Sequence, residues 1–508
     1  MAKKIESALI SVYHKEGLSE IIGLLKDLEV KIYSTGGTQK MLEALNVPVE
    51  TVENLTSYPS ILGGRVKTLH PKVFGGILAK RDDDHLNQLR DYDIPPIDLV
   101  VVDLYPFEET LRATDSESEI IEKIDIGGIS LIRAAAKNFR DTVVIPSREQ
   151  YSALYQILSE SNGHTELETR KELAWKAFNV SSHYDTVISS YFSREFAGDE
   201  SLRISSDDAQ SLRYGENPHQ NATYFGQLEE EFEQLNGKAL SYNNLVDIDA
   251  AIELMAEYKE NPVTFAILKH TNSCGVATRN TVKEAYLAAL AGDPISAFGG
   301  ILISNGVIDD ETAEEIDKQF YEVLIAPDFT AEAMDILAKK KNRVLLKRQN
   351  RPLVSRKIKS LLGGYIAQDS DRKMEGKEEL RPVTKKLTTK DQLDQLIFAN
   401  KVAKHLKSNT IVLANNFQLL GMGCGQTSRV DACKQAIDKA IRMGFDLQGA
   451  VMASDAFFPF PDCVEIASEA GIAAVIQPGG SRNDQLSIDF CDEKGIPMVM
   501  TGTRHFKH

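Results

Sequence analysis

Apolar and polar positions follow two different periods along the first part of the chain. Short apolar runs typical of strands alternate with segments whose apolar residues recur at helical spacing. The predicted strands are residues 8–13, 31–35, 97–105 and 141–146. The clearest predicted helices are residues 17–28 and 38–45. This alternation is typical of a doubly wound α/β domain.

The pattern changes after residue 148. Residues 148–196 have helical spacing and contain Trp175, the single tryptophan of the chain. A polar stretch, residues 198–210, follows. We therefore predict a first domain at residues 1–197 and a second region at residues 198–508.

The second region shows one pattern twice. A strand, a turn, a helix and a second strand occur around residues 264–303 and again around residues 410–453, and the second strands lie beside polar and aromatic residues, 293–300 and 454–460. Either a duplication or chance similarity between two α/β units explains this pattern. We predict two related subdomains, at about residues 212–338 and 390–508. Residues 339–390 are rich in Lys, Arg and Gly and predict loops with an edge hairpin.

Bulk composition narrows the functional class. A chain of 508 residues is too long to fold around one hydrophobic core, so more than one domain is expected. A content of 42% hydrophobic and 26% charged residues is typical of globular domains. No apolar run approaches the roughly 20 residues of a membrane span, and the N-terminus does not resemble a secretory signal. A net charge of -16 disfavours nucleic-acid binding. We therefore expect a cytoplasmic protein without membrane or nucleic-acid partners.

The five cysteines give no sign of a disulfide framework or of a metal site. They are odd in number, lie in the second half of the chain, and include no C-x-x-C pair. We expect no metal.

Three loops of the first domain carry candidate anion-binding groups. Ser34-Thr-Gly-Gly-Thr38 joins a predicted strand to a predicted helix, where backbone N–H groups and hydroxyls can face an anion, although a plain glycine turn explains it equally well. Residues 63–71 place Arg65 and Lys67 beside Thr68 in a glycine-rich loop. Asp125-Ile-Gly-Gly128 opens a helix that carries Arg133 and Lys137 on one face. None matches the Walker pattern, so a nucleoside triphosphate is not the natural ligand.

Taken in series, these segments resemble a known family. The segments that carry the resemblance in the first domain are Ser34 to Thr38, Gly64-Arg-Val-Lys-Thr-Leu-His-Pro71, Leu104-Tyr-Pro-Phe107, Asp125-Ile-Gly-Gly128 and Ala136-Lys-Asn138. Those in the second region are Leu212-Arg-Tyr-Gly-Glu-Asn-Pro-His-Gln220, Lys238-Ala-Leu-Ser-Tyr-Asn-Asn244, Lys269-His270, Cys274-Gly275 and Ser454-Asp-Ala-Phe-Phe-Pro-Phe460. They are similar to the family that fuses an inosine monophosphate (IMP) cyclohydrolase to a folate-dependent transformylase, in the same order and over essentially the whole chain.

The resemblance implies the last two steps of IMP synthesis. Aminoimidazole carboxamide ribonucleotide (AICAR) would take a formyl group from 10-formyltetrahydrofolate, and the formylated product (FAICAR) would close to IMP. It implies a methylglyoxal-synthase-like first domain, two cytidine-deaminase-like subdomains and a homodimer with shared transformylase sites. Folate is a cosubstrate in this family, so no tightly bound cofactor is expected.

The resemblance also implies site residues. For formyl transfer, His270 would take a proton and Lys269 would stabilise developing charge, roles that suit their residue types. Further transformylase contacts are expected from Arg213, Tyr214, Asn409, Arg429, Phe457, Asp462, Pro478, Gly479 and Arg504. For ring closure, Lys137 would move a proton, with Asp125 and Tyr105 orienting the reacting groups. Nucleotide contacts are expected from Ser11, Lys15, Ser34, Thr35, Gly36, Gly37, Thr38, Arg65, Lys67, Thr68, Asp103, Gly127 and Gly128.

Three positions depart from the family pattern. His14 stands where Asp is usual, Asp103 where Asn is expected, and Ser273 where proline is common. The first two change charge near the expected nucleotide, and the third should loosen the turn after His270.

Three alternatives belong to other classes. The first domain could be a regulatory phosphate-binding module beside one catalytic domain. A zinc deaminase in the second region is disfavoured because residues 198–508 contain neither H-x-E nor P-C-x-x-C. A nicotinamide enzyme is disfavoured because residues 421–426 lack the third glycine of the dinucleotide fingerprint.

Overall fold

The computed structural model describes residues 2–193, 201–259 and 262–508. The chain divides into two compact units, Met1–Asp207 and Asp208–His508. The boundary predicted at residues 197 and 198 lies outside the described residues.

The first unit is built on a parallel sheet of five strands in the order β4-β3-β2-β5-β6, with a separate two-stranded pairing of β1 with β7. Its strands are β1 (Lys3–Lys4), β2 (Ser7–Val12), β3 (Lys31–Ser34), β4 (Val49–Thr51), β5 (Leu99–Asp103), β6 (Val143–Ile145) and β7 (His164–Thr165). Its helices are α1 (Leu18–Asp27), α2 (Gly36–Ala44), α3 (Val52–Thr56), α4 (Pro71–Leu78), α5 (Asp83–Asp91), α6 (Phe107–Ala113), α7 (Glu117–Ile121), α8 (Gly127–Lys137), α9 (Tyr151–Glu160) and α10 (Leu167–Ser193).

Helices cover both faces of this sheet, which explains the apolar runs seen in the sequence. Along β2, Ala8 and Ile10 belong to one hydrophobic cluster, and Leu9 belongs to the cluster on the opposite face. A strand that buries both faces needs apolar residues at successive positions. Because β2 is parallel to both β3 and β5, the carboxyl ends of these three strands lie at the same edge of the sheet, where the loops that follow them converge.

The second unit is built on one mixed sheet of twelve strands, with two small hairpins outside it. Its strands are β8 (Ala209–Ser211), β9 (Thr223–Phe225), β10 (Phe232–Asn236), β11 (Thr264–Lys269), β12 (Asn272–Thr278), β13 (Gly300–Ser304), β14 (Tyr321–Ala326), β15 (Val344–Arg348), β16 (Arg356–Leu361), β17 (Gly364–Asp369), β18 (Arg381–Pro382), β19 (Ile411–Asn415), β20 (Gln418–Gly423), β21 (Val451–Ser454), β22 (Ala474–Gln477) and β23 (Met498–Met500). Its helices are α11 (Tyr242–Ala256), α12 (Val282–Gly292), α13 (Asp310–Asp317), α14 (Ala331–Leu337), α15 (Lys390–Lys404), α16 (Arg429–Arg442), α17 (Asp462–Glu469) and α18 (Asp484–Lys494).

The twelve strands form two copies of one topology. The order is β10-β15-β14-β13-β11-β12 followed by β20-β19-β21-β22-β23-β18, so each strand of the first repeat has a counterpart at the mirrored position. Parallel and antiparallel pairings also correspond throughout. Duplication therefore explains the pattern better than chance similarity of two α/β units.

One sequence argument for the duplication was wrong. Residues 293–300 precede β13, whereas residues 454–460 follow β21, although β13 and β21 are equivalent strands. The two polar-aromatic segments therefore lie at opposite ends of their strands and do not correspond. Residues 339–390 contain the hairpin of β16 and β17, as expected, and also β15, a strand of the main sheet.

Candidate active sites

The first unit contains a cleft of about 520 Å³ at the carboxyl ends of β2, β3 and β5. Ligands of open parallel sheets commonly bind at such an edge. Most of the residues expected to serve ring closure line this cleft. They are Ser11, Thr35, Gly36, Gly37, Thr38, Arg65, Lys67, Thr68, Asp103, Tyr105, Asp125, Gly127 and Gly128.

Two lysines converge on the glycine loop that opens α2. Lys67 Nζ lies 3.2 Å from the position that a Cβ on Gly36 would occupy, and Lys15 Nζ lies 3.7 Å from the equivalent position on Gly37. Gly36 has a φ of +59°, which favours glycine there. Two ammonium groups beside free helix N–H groups form an arrangement suited to a phosphate.

The hydroxyls of the same loop do not serve as donors to a ligand in this conformation, contrary to expectation. Ser34 is fully buried and its Oγ donates to the Ile10 carbonyl at 2.7 Å. Thr35 Oγ1 donates to Glu53 at 3.1 Å, and Thr38 Oγ1 donates to the Val12 carbonyl at 3.0 Å. Each hydroxyl has one proton, which is already used within the protein.

Asp125 is the partly buried carboxylate of the cleft. Its Oδ1 accepts the Gly128 backbone N–H at 2.6 Å, and its own N–H donates to the Tyr184 hydroxyl at 2.9 Å. Burial raises the pKa of Asp125, and hydrogen bonds from the backbone of Gly128, Tyr105 and Ile129 offset only part of this effect. A carboxyl group that retains its proton closer to neutral pH is suited to proton transfer.

Arg65, Thr68 and Tyr105 occupy other walls of the cleft. Thr68 is buried, with Oγ1 against Gly127 at the start of α8. Arg65 is exposed and paired with Glu122. Tyr105 is half-exposed and its ring packs edge-on against Tyr13 at 5.4 Å between centroids.

Lys137 does not line the cleft. The cleft contacts the first residues of α8, whereas Lys137 is its last residue and is exposed. Ten residue steps at 1.5 Å separate the two ends of the helix by about 15 Å. Arg133 is also turned away, with its guanidinium 5.7 Å from the Phe178 ring and 3.4 Å from the Ser181 hydroxyl.

In the second unit, strand pairing defines one edge of the sheet, which we call the Lys269 edge. Lys269 ends β11, and a two-residue turn leads to Asn272 at the start of β12. Strand β20 runs antiparallel to β12 and ends at Gly423, which pairs with Ile411 at the start of β19. Ile411 also pairs with Ser454, the end of β21, and β22 and β23 run parallel to β21. All these strand ends lie at the Lys269 edge.

Most expected transformylase residues follow strand ends at this edge. Lys269, His270, Asn409, Arg429, Phe457, Asp462, Pro478, Gly479 and Arg504 lie in these connections or at the helix starts that they lead to. Direct contacts join neighbouring parts of the edge: the Cys424 thiol donates to Asn272 Oδ1 at 3.4 Å, and Asn409 Nδ2 donates to the Gln426 carbonyl at 2.9 Å. The edge is therefore a continuous surface across both repeats.

An aromatic and cationic cluster occupies the second-repeat side of the Lys269 edge. The Arg429 guanidinium lies 5.8 Å from the Phe457 ring and 5.9 Å from the Phe506 ring, and Arg504 lies 4.5 Å from Phe506. Within the described residues, buried Nε of Arg429 and Oδ2 of Asp455 have no hydrogen-bond partner. Unsatisfied buried polar atoms of this kind are expected where a ligand completes the site.

The first-repeat side carries the Lys-His pair. Lys269 Nζ donates to the Phe298 carbonyl at 2.8 Å, and His270 is exposed in the turn. Arg213 and Tyr214 lie between β8 and β9, outside the twelve-stranded sheet, and contact each other through a 2.9 Å hydrogen bond.

The described part of the chain contains no helix long and apolar enough to cross a membrane. Among the same residues, no group of three or more His, Cys, Asp or Glu side chains is placed to hold a metal ion.

Two family models match this chain. Residues 135–439 match the model of the family described as AICARFT/IMPCHase bienzyme, and residues 17–130 match the MGS-like domain. The chain belongs to the AICARFT/IMPCHase bienzyme family. It is a bifunctional enzyme with AICAR formyltransferase and IMP cyclohydrolase activities, which perform the last two steps of IMP synthesis.

Relatives of the bienzyme match it from end to end. A bifunctional purine biosynthesis protein of Bacteroides thetaiotaomicron is 57% identical over 100% of this chain and 99% of the relative. Proteins of the same description from Aquifex aeolicus and Acetivibrio thermocellus are 47% and 46% identical, each over 99% of this chain and 100% of the relative. The methylglyoxal-synthase-like class expected for the first domain is confirmed by the matching domain model.

Three further residues contact the candidate site residues and were not predicted from the sequence. Tyr184 holds the backbone of Asp125, Phe506 lies between two arginines, and Asp247 binds the turn that carries His270. Tyr184 and Asp247 lie inside helices, where a single polar residue gives no motif. Phe506 had a signal, since it lies two positions after Arg504, a residue expected in the transformylase site.

Proposed function

We propose that the cleft of the first unit closes FAICAR to IMP and that the Lys269 edge of the second unit transfers the formyl group to AICAR. The first assignment is supported by two lysines that meet a helix-opening glycine loop and by a partly buried carboxyl group in the same cleft. The second is supported by the convergence of Lys269, His270 and the arginine cluster on one sheet edge.

In the cyclohydrolase site, Lys15 and Lys67 hold the nucleotide phosphate against Gly36 and Gly37. The carboxamide nitrogen then attacks the formyl carbon of the same molecule, so positioning supplies much of the acceleration. Asp125 is the group proposed to move protons: it accepts one from the attacking carboxamide nitrogen and delivers one to the formyl oxygen. The second proton of the departing water comes from the formamido nitrogen, which forms the new C=N bond. Lys137 was expected in this role, but it lies at the distal end of α8.

In the transformylase site, the AICAR amine attacks the formyl carbon of 10-formyltetrahydrofolate. His270 takes the amine proton, and Lys269 stabilises charge on the formyl oxygen or on the departing folate nitrogen. Arg429 and Arg504 hold anionic groups, with Phe457 and Phe506 as an aromatic wall. Asn409, Asp462, Pro478 and Gly479 complete the proposed surface, and Arg213 and Tyr214 are proposed to bind the ribonucleotide.

The cosubstrate 10-formyltetrahydrofolate, a homodimer with shared transformylase sites and a cytoplasmic location are parts of the same proposal. They rest on the family resemblance. The domain limits at residues 1–197 and 198–508 are proposed from the polar stretch that follows residue 197, and the subdomains at about residues 212–338 and 390–508 from the repeated strand and helix pattern.

Reciprocal variants of the full-length enzyme test both assignments. Product formation is followed by chromatography with mass detection, from AICAR with 10-formyltetrahydrofolate and separately from FAICAR. His270→Ala should lose at least about 100-fold in formyl transfer and keep cyclisation, whereas Asp125→Asn should do the reverse, since each removes one proton-transfer group. Loss of both activities by either variant would overturn the division of labour.

A further inference from the structure

The turn that carries His270 has an unusual backbone. Strands β11 and β12 are joined by two residues, with Lys269 paired to Asn272, and both intervening residues have positive φ, +52° at His270 and +63° at Thr271. A two-residue hairpin of this type favours Asn-Gly. Positive φ is costly for a β-branched residue such as Thr271, so other contacts must hold the turn.

A carboxylate supplies that contact. Thr271 N donates to Asp247 Oδ1 at 2.7 Å, a charge-assisted hydrogen bond from the turn to α11. Burial raises the pKa of Asp247, while hydrogen bonds from Thr271 and His270 and the charge of the His270 ring act in the opposite direction. A partly buried acid therefore binds the backbone of the turn that carries the proposed catalytic histidine.

The duplicated topology provides an internal comparison. The equivalent hairpin of the second repeat, between β19 and β20, also has two residues with positive φ, +48° at Asn416 and +52° at Phe417. The equivalent helix α15 holds it through Gln395, whose Oε1 accepts the Asn416 N–H at 2.8 Å. The same backbone is thus maintained by a neutral amide in the repeat that has no Lys-His pair. An acceptor is sufficient for the turn, and only the first repeat uses a charged one.

We propose that Asp247 is a positioning residue for His270. The negative charge of Asp247, in addition to its hydrogen bond to the turn, assists formyl transfer. This inference rests on the proposed role of His270. When the His270 imidazole takes the amine proton it becomes a cation. The Asp247 carboxylate, which is fixed by its hydrogen bond to the same turn, stabilises this cation.

Other ionisable groups around the turn have partners of their own. Lys269 Nζ is bound to the Phe298 carbonyl, and Lys439 is paired with Asp293 at 2.6 Å. Burial raises the pKa of the Cys274 thiol to about 12, so it stays neutral. Among the described residues, Asp247 is the carboxylate hydrogen-bonded to this turn.

Asp247→Asn keeps an acceptor for Thr271 and removes the charge. In the full-length enzyme, kcat for formyl transfer should fall about tenfold while KM for AICAR changes less than about twofold, and the acid limb of the pH profile should move down by roughly 0.5 to 1 pH unit. Cyclisation of FAICAR should be unchanged. Gln395→Ala, which loosens the equivalent turn, is the matched control and should leave formyl transfer within about twofold of the parent.

Three outcomes would overturn the inference. The first is an Asp247→Asn enzyme with parental kcat and pH profile. If Asp247→Ala, which removes the hydrogen bond as well as the charge, is then the only impaired variant, the hydrogen bond alone is sufficient. The second is an equal loss of kcat in Gln395→Ala. The third is full formyl transfer by His270→Ala, which would remove the proposed function itself and is measured separately.

Discussion

His14 Nδ1 lies 2.7 Å from Asp103 Oδ2, and the same oxygen accepts the His14 backbone N–H at 2.8 Å. Both residues lie at the carboxyl ends of neighbouring parallel strands, where Val12 of β2 pairs with Asp103 of β5. They are also two of the positions at which the sequence departs from the family pattern. The two departures therefore contact each other at the wall of the cyclohydrolase cleft, so the second change supplies a partner for the first.

Restoring the family residues one at a time should damage this contact. His14→Asp places two carboxylates together, and Asp103→Asn removes the charge that faces the imidazole. We expect each single variant to lose about tenfold in kcat/KM for FAICAR cyclisation, and the double variant to recover to within about threefold of the parent, since residues in contact couple by about 0.5–3 kcal/mol. Additive losses in the double variant would show that the two positions act independently.

Substitutions of two lysines test whether the cleft or the far end of α8 takes part in ring closure. Lys67→Ala should lower kcat/KM for FAICAR about 10- to 100-fold, because a hydrogen bond to a charged group contributes about 1.5–3 kcal/mol. Lys137→Ala is the matched control and should stay within about twofold, because Lys137 is exposed and lies about 15 Å along the axis of α8 from the glycines that open the helix. Accumulation of FAICAR in Lys137→Ala, with Lys67→Ala unaffected, would instead support the role first expected for Lys137.

The raised pKa of the buried His505 predicts how the stability of the protein depends on pH. Burial opposes protonation of His505, but hydrogen bonds to Glu375 and Asp371 outweigh it and raise its pKa. The stabilisation is therefore fully present below about pH 6.5, the unfolded value, and is lost as pH rises through the higher folded value. His505→Gln should lower the melting temperature by about 2–4 °C more at pH 5.5 than at pH 9.

The exposed His219 is the control for this measurement, since its side chain is not buried. His219→Gln should leave the melting temperature unchanged at both pH values. A destabilisation of His505→Gln that is the same at pH 5.5 and pH 9 would mean that packing, not charge, accounts for it.

Apolar runs located the central strands of the first unit to within about two residues. Residues 31–35 were predicted and Lys31–Ser34 is observed, because a strand covered on both faces leaves a continuous apolar signal. Strand β4 (Val49–Thr51) was missed. It has three residues, two of them polar, and it pairs only with β3 at the edge of the sheet.

The site was predictable where chemistry depends on local sequence. Glycines and cations in one loop indicated the cleft, but spacing could not show which end of α8 reaches it, and so Lys137 was expected in a cleft that it does not line. The bond from Ser34 to Ile10 spans 24 residues between adjacent strands, so no local pattern could reveal that the hydroxyl was already used. Asp247 and Gln395 became informative only when the sheet showed that they are equivalent.

The twelve-stranded sheet also constrains how this enzyme arose. The hairpin of β11 and β12 in the first repeat lies at the same edge as the carboxyl ends of strands of the second repeat. The equivalent hairpin of β19 and β20 lies at the opposite edge, where Arg279 binds the Asn416 carbonyl at 2.8 Å and Gln418 at 2.7 Å. An ancestor with a single repeat would have needed another copy of itself to build one catalytic surface. Because the surface at the Lys269 edge takes residues from both repeats, deletion of either repeat should abolish formyl transfer.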